Sequence, residues 1–212
     1  MLKSFLYGLF YDGFMFFPEK LYLGKRRRKL ISVLRGRILE VGVGTGVNFS
    51  FYNDQVVVTG IEPSETMLSR ATEKRKRLKL TNRIELLHTG CGLPEMQQLV
   101  EENSLDAVIC TLVLCTIPEP EKAIAQFKKW LKPGGQLVIM EHIRAHTHLW
   151  GKIQDKMNPY WSKFADGCQL NRKTDRILRE SGLKLQNEKS FRMVLPFYEA
   201  VYIKPETTDK PH

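Results

Sequence analysis

The 212-residue chain lacks the features that mark a secreted or a metal-binding protein. Its four cysteines include no C-x-x-C pair, and no apolar signal segment with a small-residue cleavage site precedes them. We therefore expect reduced thiols in a cytoplasmic protein. Cys110 and Cys115 lie five residues apart in a predicted strand, so they should point to opposite faces, and His146 with His148 is a weak metal motif. The sequence thus predicts no metal site.

Acidic residues are scarce relative to basic ones. The chain has 33 Lys and Arg against 23 Asp and Glu, which gives a net charge of +10. Residues 1–37 carry nine basic and two acidic side chains, and residues 70–83 carry seven and one, so the remainder is slightly acidic. The basic excess therefore lies in two patches. Because 42% of the residues are hydrophobic and 26% are charged, a disordered or collagen-like chain is excluded, and the length fits one domain.

No apolar run is long enough to span a membrane, yet the first 22 residues hold eight aromatic side chains. Asp12 and two glycines interrupt this segment, whereas a spanning helix needs about 20 mostly apolar residues. Two interpretations stay open. The segment is a helical lid over a pocket, or it lies in a membrane interface, where the basic run 25–29 would attract anionic lipids. We expect this segment at 1–35, one domain at 36–204 and a disordered tail at 205–212, in a cytoplasmic protein with an optional peripheral membrane contact.

The hydrophobic pattern predicts an α/β fold. Strands are predicted at 37–43, 56–61, 84–88, 107–112 and 136–142, and helices at 47–52, 64–80, 94–101, 119–131, 150–166 and 174–181. Two closing strands at 183–191 and 197–203 would form an antiparallel hairpin. Strands that alternate with helices indicate a doubly wound, mostly parallel seven-stranded sheet with helices on both faces. The basic residues that end the helix at 64–80 are typical of a solvated helix C-terminus.

A glycine-rich turn follows the first predicted strand and carries the clearest functional signal. The segment Glu40-Val41-Gly42-Val43-Gly44-Thr45-Gly46 is followed 22 residues later by Glu62, at the end of the second strand. Glycines let the backbone approach a ligand closely, and a carboxylate at the second strand's end can accept hydrogen bonds from both hydroxyls of a ribose. The spacing therefore predicts a nucleoside-like ligand.

Two absences indicate which nucleoside is bound. Val47 occupies the position where a dinucleotide fingerprint has its third glycine, and the lysine of a P-loop is missing. Glu40 would repel a pyrophosphate but could hold an ammonium group, directly or through water. S-adenosylmethionine has a ribose, an ammonium group and no phosphate, so it fits this pattern better than NAD.

These motifs resemble those of the class I S-adenosylmethionine-dependent methyltransferases over residues 36–142. Ile61-Glu62-Pro63-Ser64-Glu65-Thr66-Met67-Leu68 resembles the second motif, and Leu131-Lys132-Pro133-Gly134-Gly135 the turn before the fifth strand. The resemblance implies a Rossmann-like fold and S-adenosylmethionine as cofactor. Many members have an aspartate near the adenine, where this chain reads Gly90-Cys91-Gly92-Leu93-Pro94. The implied cofactor residues are Glu40, Gly42, Gly44, Gly46, Glu62, Pro63, Met67, Cys91, Gly92 and Thr111.

Three further segments look like the alkyl-thiol S-methyltransferase group and its bacterial relatives. They are Cys110–Cys115, Met140–Arg144 and Asp166–Thr174. This resemblance implies methyl transfer to a small apolar acceptor, with a thiol favoured. Phospholipid N-methyltransferases and quinone C-methyltransferases share much of the same core, so a lipid amine and a quinone ring stay open as acceptors.

Acceptor residues are expected beyond the carboxyl ends of the fourth and fifth strands. Thr111, His142 and Asp166 are the candidates, with Arg172 as an orienting cation. His142 could act as a base because the unperturbed pKa of histidine lies near neutrality, although a structural role is equally common. Asp166 could instead stabilise a turn with the glycine that follows it. Cys168 is expected to be a buried apolar thiol.

The basic patches leave room for a different class of function, an RNA-binding methyltransferase, since clustered Lys and Arg bind phosphates without sequence preference. Base N-methylation usually needs an (Asp/Asn)-Pro-Pro-aromatic loop after the fourth strand, where this chain has Thr111-Leu112-Val113-Leu114. Asn158-Pro159-Tyr160-Trp161 lies after the fifth strand instead. A nucleic-acid partner is therefore disfavoured, and a non-catalytic S-adenosylmethionine-binding protein is the third alternative.

Overall fold

The computed structural model describes residues 22–91, 96 and 100–206. The aromatic segment at 1–21, the last residues from 207, Gly92 and most of the predicted helix 94–101 lie outside this range. Five helices are present in the described part: α1 (Gly24–Ile31), α2 (Glu65–Arg77), α3 (Pro120–Trp130), α4 (His148–Phe164) and α5 (Thr174–Arg179). A short 3-10 helix covers Val47–Phe51. The strands are β1 (Gly36–Val41), β2 (Val56–Ile61), β3 (Ile84–Leu87), β4 (Leu105–Thr111), β5 (Leu131–His142), β6 (Lys184–Arg192) and β7 (Pro196–Ile203).

The strands form one seven-stranded sheet in the order β3-β2-β1-β4-β5-β7-β6. Strands β1 to β5 are parallel, and β7 is antiparallel to both β5 and β6. The chain order reverses between β1 and β4, which is where a doubly wound sheet binds its ligand. The predicted sheet and its closing hairpin are confirmed.

Alternating side chains cover both faces of the central strands. On β1, Leu39 and Val41 belong to one hydrophobic cluster and Ile38 to another, and β5 divides Leu137 and Val138 in the same way. Burial on both faces explains why these strands are nearly continuous apolar runs. Both faces of these central strands are therefore covered, which leaves their carboxyl ends as the place for a binding site.

Two predictions at the strand ends are wrong. Strand β5 begins at Leu131, five residues before its predicted start, because Leu131 pairs with Leu105 across a bulge before the regular ladder at Gln136. Cys115 lies in a turn beyond β4 and not in the strand. The expectation that Cys115 points away from Cys110 across a strand is therefore wrong. One of the reasons for predicting no metal site is removed with it.

Candidate active site

The carboxyl ends of the parallel strands open into a cavity of about 1710 Å³. The residues that follow β1, β2, β4 and β5 line it, together with α4 and residues 192–197. Single small-molecule pockets are usually about 300–1000 Å³. The cavity is therefore large enough to hold a nucleoside cofactor and a second small molecule side by side.

The glycine turn after β1 forms one wall of this cavity. A Cβ at Gly42 would lie 2.4 Å from Val113 Cγ2, so the turn packs closely against the loop after β4. Gly44 has a φ of +55° and no atom within 4 Å of its Cβ position. Gly44 therefore combines a left-handed backbone with open space on the cavity side, as the close approach of a ligand requires.

Glu62 is fixed by the same turn. Its Oε2 accepts a hydrogen bond from the Gly44 backbone N–H, and its Oε1 from the Ser64 N–H, both at 2.9 Å. Burial raises the pKa of Glu62, and the charge of Asp166 adds to this shift. Each carboxylate oxygen keeps a second lone pair, so Glu62 can still accept hydrogen bonds from two neighbouring hydroxyls. This geometry fits the predicted ribose contact.

Glu40 lies deeper, at 1% exposure, in a network of polar side chains. Its Oε1 accepts a hydrogen bond from Asn48 Nδ2 and its Oε2 from the Tyr52 hydroxyl, both at 2.8 Å. Burial raises the pKa of Glu40 to about 7, although these hydrogen bonds and the nearby Arg27 lower it. A buried carboxyl group with a pKa near neutrality can become fully ionised when a cation approaches. The site therefore fits a cationic ligand.

Arg27 completes this network, and no pattern along the chain indicates its role. One guanidinium nitrogen donates to Asn48 Oδ1 at 2.9 Å and to Thr111 Oγ1 at 2.6 Å. The neighbouring Arg26 binds Glu199 at 2.9 Å and lies over the Phe191 ring at 3.7 Å. Two cations of the basic run 25–29 therefore point into the protein. The predicted attraction of this run to anionic lipids therefore rests on the exposed Lys25, Arg28 and Lys29.

Cys115, His142 and Cys168 meet on the side of the cavity that β5 and α4 form. Cys168 Sγ lies 3.1 Å from His142 Nε2 and 3.4 Å from Cys115 Sγ. The hydrogen bond from Cys115 and the imidazole ring lower the pKa of Cys168. Burial opposes a charge on the His142 ring, but the hydrogen bond to Cys168 outweighs it and raises the pKa of His142. Cys168 is buried as expected, in a small apolar cluster with Ala165 and Trp161, and its sulfur also contacts His142 and Cys115.

Glu141 precedes His142 and holds the loop after β4. Its Oε1 accepts hydrogen bonds from the backbone N–H groups of Val113 and Leu114 at 2.7 and 2.9 Å, and its Oε2 is buried with no hydrogen-bond partner among the described residues. Burial raises the pKa of Glu141, and the two backbone hydrogen bonds lower it. Glu141 therefore fixes the turn that carries Cys115. A long apolar strand that ends in two polar residues was its only sequence signal.

The other three acceptor candidates lie at different places. Thr111 accepts hydrogen bonds from Arg27 and Asn48 in the network around Glu40. Asp166 is exposed in the turn after α4, has a left-handed φ of 48° and faces Glu62 across the cavity. Arg172 donates to the Ile117 carbonyl at 2.6 Å. The structure thus brings His142 together with Cys168, whereas Asp166 belongs to the nucleoside side.

Most of the predicted cofactor residues line the cavity. This is so for Glu40, Gly42, Gly44, Glu62, Pro63, Met67 and Thr111. Gly46 lies between two lining residues, with its φ of 76° turning the chain into the 3-10 helix. Cys91 is half-buried, packs against the core and has its pKa raised to about 11 by burial. Gly92 lies outside the described residues.

The rim of the cavity is apolar and exposed. Helix α4 presents six exposed hydrophobic side chains: Leu149, Trp150, Ile153, Met157, Tyr160 and Phe164. Tyr22 and Val194 add to the rim with 59% and 88% exposure. We call these eight residues the rim patch. A patch of this kind beside a cavity is typical of an entry for apolar molecules or of an interaction surface.

Comparisons with known proteins agree with this geometry. A family profile described as a methyltransferase domain matches residues 39–139. The thiol S-methyltransferase TMT1A of Homo sapiens is 33% identical over 180 residues, which are 78% of this chain and 71% of that protein. A phosphatidylethanolamine N-methyltransferase of Cereibacter sphaeroides is 32% identical over 118 residues, 56% of each chain. The solved structure of a geranyl diphosphate methyltransferase in complex with SAM has a TM-score of 0.65 at 10% identity, over 85% of this chain and 83% of that one.

Proposed function

The chain belongs to the class I S-adenosylmethionine-dependent methyltransferases, and from this premise we propose that it methylates the sulfur of small apolar thiols. The observation that carries the proposal is the buried pair of His142 and Cys168, 3.1 Å apart in a cavity with an apolar rim. Such a pair suits an acceptor that must lose a proton before it reacts. The thiol S-methyltransferase at 33% identity supports the same acceptor class.

S-adenosylmethionine is the cofactor, and when bound it supplies a methyl group on a positively charged sulfur. We propose that the glycine turn and Glu62 hold its ribose, since Glu62 is already oriented by the Gly44 and Ser64 amides. Glu40 and the network around it would stabilise the positive charge of the amino-acid part. Pro63, Met67, Gly46, Cys91 and Thr111 would complete the cofactor side through packing and backbone position.

His142 is the proposed base for the acceptor thiol. A free thiol has a pKa of about 8.5, so most of it is protonated at neutral pH and needs a base or a positive field to react. The imidazole Nε2 faces the cavity side where Cys168 lies, and the ring packs edge-on against Phe197 at 6.5 Å, which fixes its orientation. Asp166 is proposed to lie on the nucleoside side of the cavity, where its charge faces Glu62, and not at the acceptor thiol.

A direct assay tests the acceptor class. Labelled methyl transfer from S-adenosylmethionine is measured to an alkyl thiol, to phosphatidylethanolamine, to a quinol and to RNA. We expect label in the thiol and at least about a hundredfold loss of kcat in His142→Gln, as is usual when a general base is removed. His148→Gln, at the exposed start of α4, is the matched control and should keep full activity. Label in RNA alone, or in none of the four acceptors, contradicts the proposal.

A phospholipid amine is the second candidate acceptor. The observation in its favour is the 32% identity to a phosphatidylethanolamine N-methyltransferase over 118 residues. The exposed rim patch would suit a lipid that enters from a membrane. Label in phosphatidylethanolamine but not in the thiol would favour this candidate. In that case His142→Gln should slow transfer to the amine.

We further propose that the protein contacts membrane surfaces through the rim patch. Among the described residues, no helix has both the length and the apolar character that a bilayer crossing requires. The exposed cations Lys25, Arg28 and Lys29 follow Tyr22 of the rim patch, so an apolar surface and positive charge lie in one stretch of chain. Apolar side chains together with nearby cations favour binding to anionic lipids. A peripheral contact would bring apolar acceptors to the cavity.

A further inference from the structure

Cys115, His142 and Cys168 come from three separate segments and present three soft donor atoms to one point. Cys115 lies in the turn after β4, His142 ends β5, and Cys168 lies in the turn after α4. The two sulfur atoms and the imidazole nitrogen all lie within 4.8 Å of one another, and all three residues are buried. They also line the cavity. We call these three residues the Cys-His-Cys cluster.

The backbone around the cluster is held in place by polar contacts. The Gln169 N–H donates to the Cys115 carbonyl at 2.8 Å, which ties the turn of Cys168 to the turn after β4. Gln154 of α4 is buried and donates to the Ile143 and Leu170 carbonyls at 3.1 and 3.0 Å. The cluster is therefore a fixed arrangement. Cys110, in contrast, is fully buried among the apolar side chains of the core.

Two thiolates and one imidazole are the donor set of catalytic zinc sites in which a fourth position is left for water or substrate. Tetrahedral zinc with bonds of about 2.3 Å to sulfur places two sulfur atoms about 3.8 Å apart. The observed separation between Cys115 Sγ and Cys168 Sγ is 3.4 Å, so a shift of about half an ångström would suffice. The cavity borders all three donors, which leaves room for the fourth ligand.

The charges around the cluster suit a divalent ion. Two thiolates would balance its charge, while the buried Glu141 and the guanidinium of Arg172 act on the cluster with opposite signs. Trp161 packs on the remaining side. Nδ1 of His142 is buried with no hydrogen-bond partner among the described residues. A ring bound to a metal through Nε2 would carry its proton at this buried Nδ1.

We propose that Cys115, His142 and Cys168 bind a zinc ion whose fourth ligand is the acceptor thiol, an assignment that rests on the proposed function for the identity of that ligand. The thiol binds as a thiolate and releases its proton to solvent. Its sulfur attacks the methyl carbon of S-adenosylmethionine, and the bond from this carbon to the sulfonium breaks with its electron pair returning to that sulfur. The products are a thioether and S-adenosylhomocysteine. With the ion present, His142 would act as a ligand in place of its role as base, and the loss of activity expected in His142→Gln would then come from the loss of a metal ligand.

Metal content of the purified full-length chain tests the site directly. We expect about one zinc per chain by elemental analysis after expression with added zinc. Cobalt exchanged into the site should give the charge-transfer absorption of a cobalt–thiolate bond, and addition of an alkyl thiol should shift it. A chain that stays below about a tenth of an equivalent of either metal after reconstitution overturns the proposal.

Variants locate the ligands. Cys115→Ser, Cys168→Ser and His142→Ala should each weaken zinc binding at least about tenfold. Cys110→Ala removes a buried cysteine outside the cluster and should leave the zinc content and the cobalt spectrum unchanged. Cys168→His keeps a ligand at that position and should retain zinc, which separates ligation from folding. Zinc retained by all three ligand variants, or lost from Cys110→Ala, contradicts the assignment.

Activity and zinc measurements on the same purified protein distinguish the zinc proposal from the proposed function. If the chelator-treated, metal-free chain methylates thiols as fast as the zinc-loaded chain, thiol methylation stands and the role of zinc falls. If the chain holds zinc in the cluster but transfers no methyl group to any thiol, the metal site stands and the acceptor assignment falls. Restoration of thiol methylation by added zinc supports both.

Discussion

The burial of Glu40 affects folding and, in the proposed function, cofactor binding. Its pKa is raised from 4.5 to about 7 by burial. Below pH 4.5 the carboxyl group is protonated in the folded and the unfolded chain, so it does not oppose folding. Above pH 7 it is charged in both, and its burial lowers the free energy of unfolding by about 3 kcal/mol. A cationic cofactor would offset this penalty.

This shift predicts that cofactor binding depends on pH. Between pH 6 and 7.5 Glu40 changes from mostly protonated to mostly ionised in the free protein, so the affinity for S-adenosylmethionine should rise about eightfold. Isothermal titration calorimetry at several pH values in this range measures it. Glu40→Gln cannot ionise and should bind weakly with a flat profile. An equal rise with pH in this variant would assign the effect to another group.

Sequence reasoning found the residues whose signals are local. The glycine turn and Glu62 could be predicted because each follows the end of a strand at a characteristic spacing, where the backbone geometry of this fold favours these residue types. Arg27 was missed because its partner Thr111 lies 84 residues away. Cys168 is buried with apolar neighbours as predicted, but its contact with Cys115 was not foreseen, because the two residues lie 53 positions apart and no pattern along the chain joins them.

At the scale of elements, α1 depends on tertiary contacts. It has eight residues and no side-chain N-cap, and isolated helices shorter than about 12 residues are rarely stable in water. Ile31 is fully buried, and Arg27 extends from the same helix into the network of Asn48 and Thr111. The helix therefore joins the N-terminal segment to the cofactor side of the cavity.

Removing the Arg27 guanidinium should loosen this helix. Arg27→Met leaves Asn48 Oδ1 without its buried donor, while Thr111 Oγ1 keeps only the hydrogen bond from Asn48 Nδ2 at 3.0 Å. We expect a loss of about 2–4 kcal/mol in the free energy of unfolding, measured with urea. The neighbouring Arg28 is exposed, so Arg28→Met is the matched control and should change it by less than about 0.5 kcal/mol. Limited proteolysis should cut the Arg27 variant first at α1. Equal stability of the two variants would show that the buried network contributes little.

Elements with strong hydrophobic periodicity were predicted well. Strand β2 has the predicted bounds, and α2 begins after Ser64, whose hydroxyl accepts a hydrogen bond from the Met67 N–H. The extension of β5 was missed because a bulge and two glycines interrupt the apolar pattern that signals a strand. Turns such as the one with Cys115 are set by contacts to Glu141, which the local sequence does not encode.

At the scale of the whole molecule, the net charge of +10 is unevenly distributed over the surface. The basic end of α2 lies about 18 Å along the helix from the end that lines the cavity. The cations of α1 divide between buried partners and solvent. The exposed ones lie in the same stretch of chain as Tyr22 of the rim patch, and α4 itself carries the exposed cations Lys152, Lys156 and Lys163. This combination favours an anionic lipid surface, where burial of apolar side chains adds to the attraction of the cations.

Vesicle flotation tests whether the rim patch faces the membrane. We expect full-length protein to bind vesicles of phosphatidylcholine with a fifth of phosphatidylserine, and the binding to weaken as salt screens the cations. Replacing Leu149, Met157 and Phe164 by serine should lower the partition coefficient at least about tenfold, because each exposed side chain loses apolar area that would otherwise be buried in the bilayer.

The basic end of α2 supplies the matched control for charge. Alanine at Lys76, Arg77 and Lys79 removes three exposed cations remote from the cavity and should leave vesicle binding nearly unchanged, since only charges close to the lipid surface contribute. If this variant loses binding and the α4 variant keeps it, the membrane-facing side is the opposite one. The cavity would then open to water, and its acceptors would have to reach it from solution.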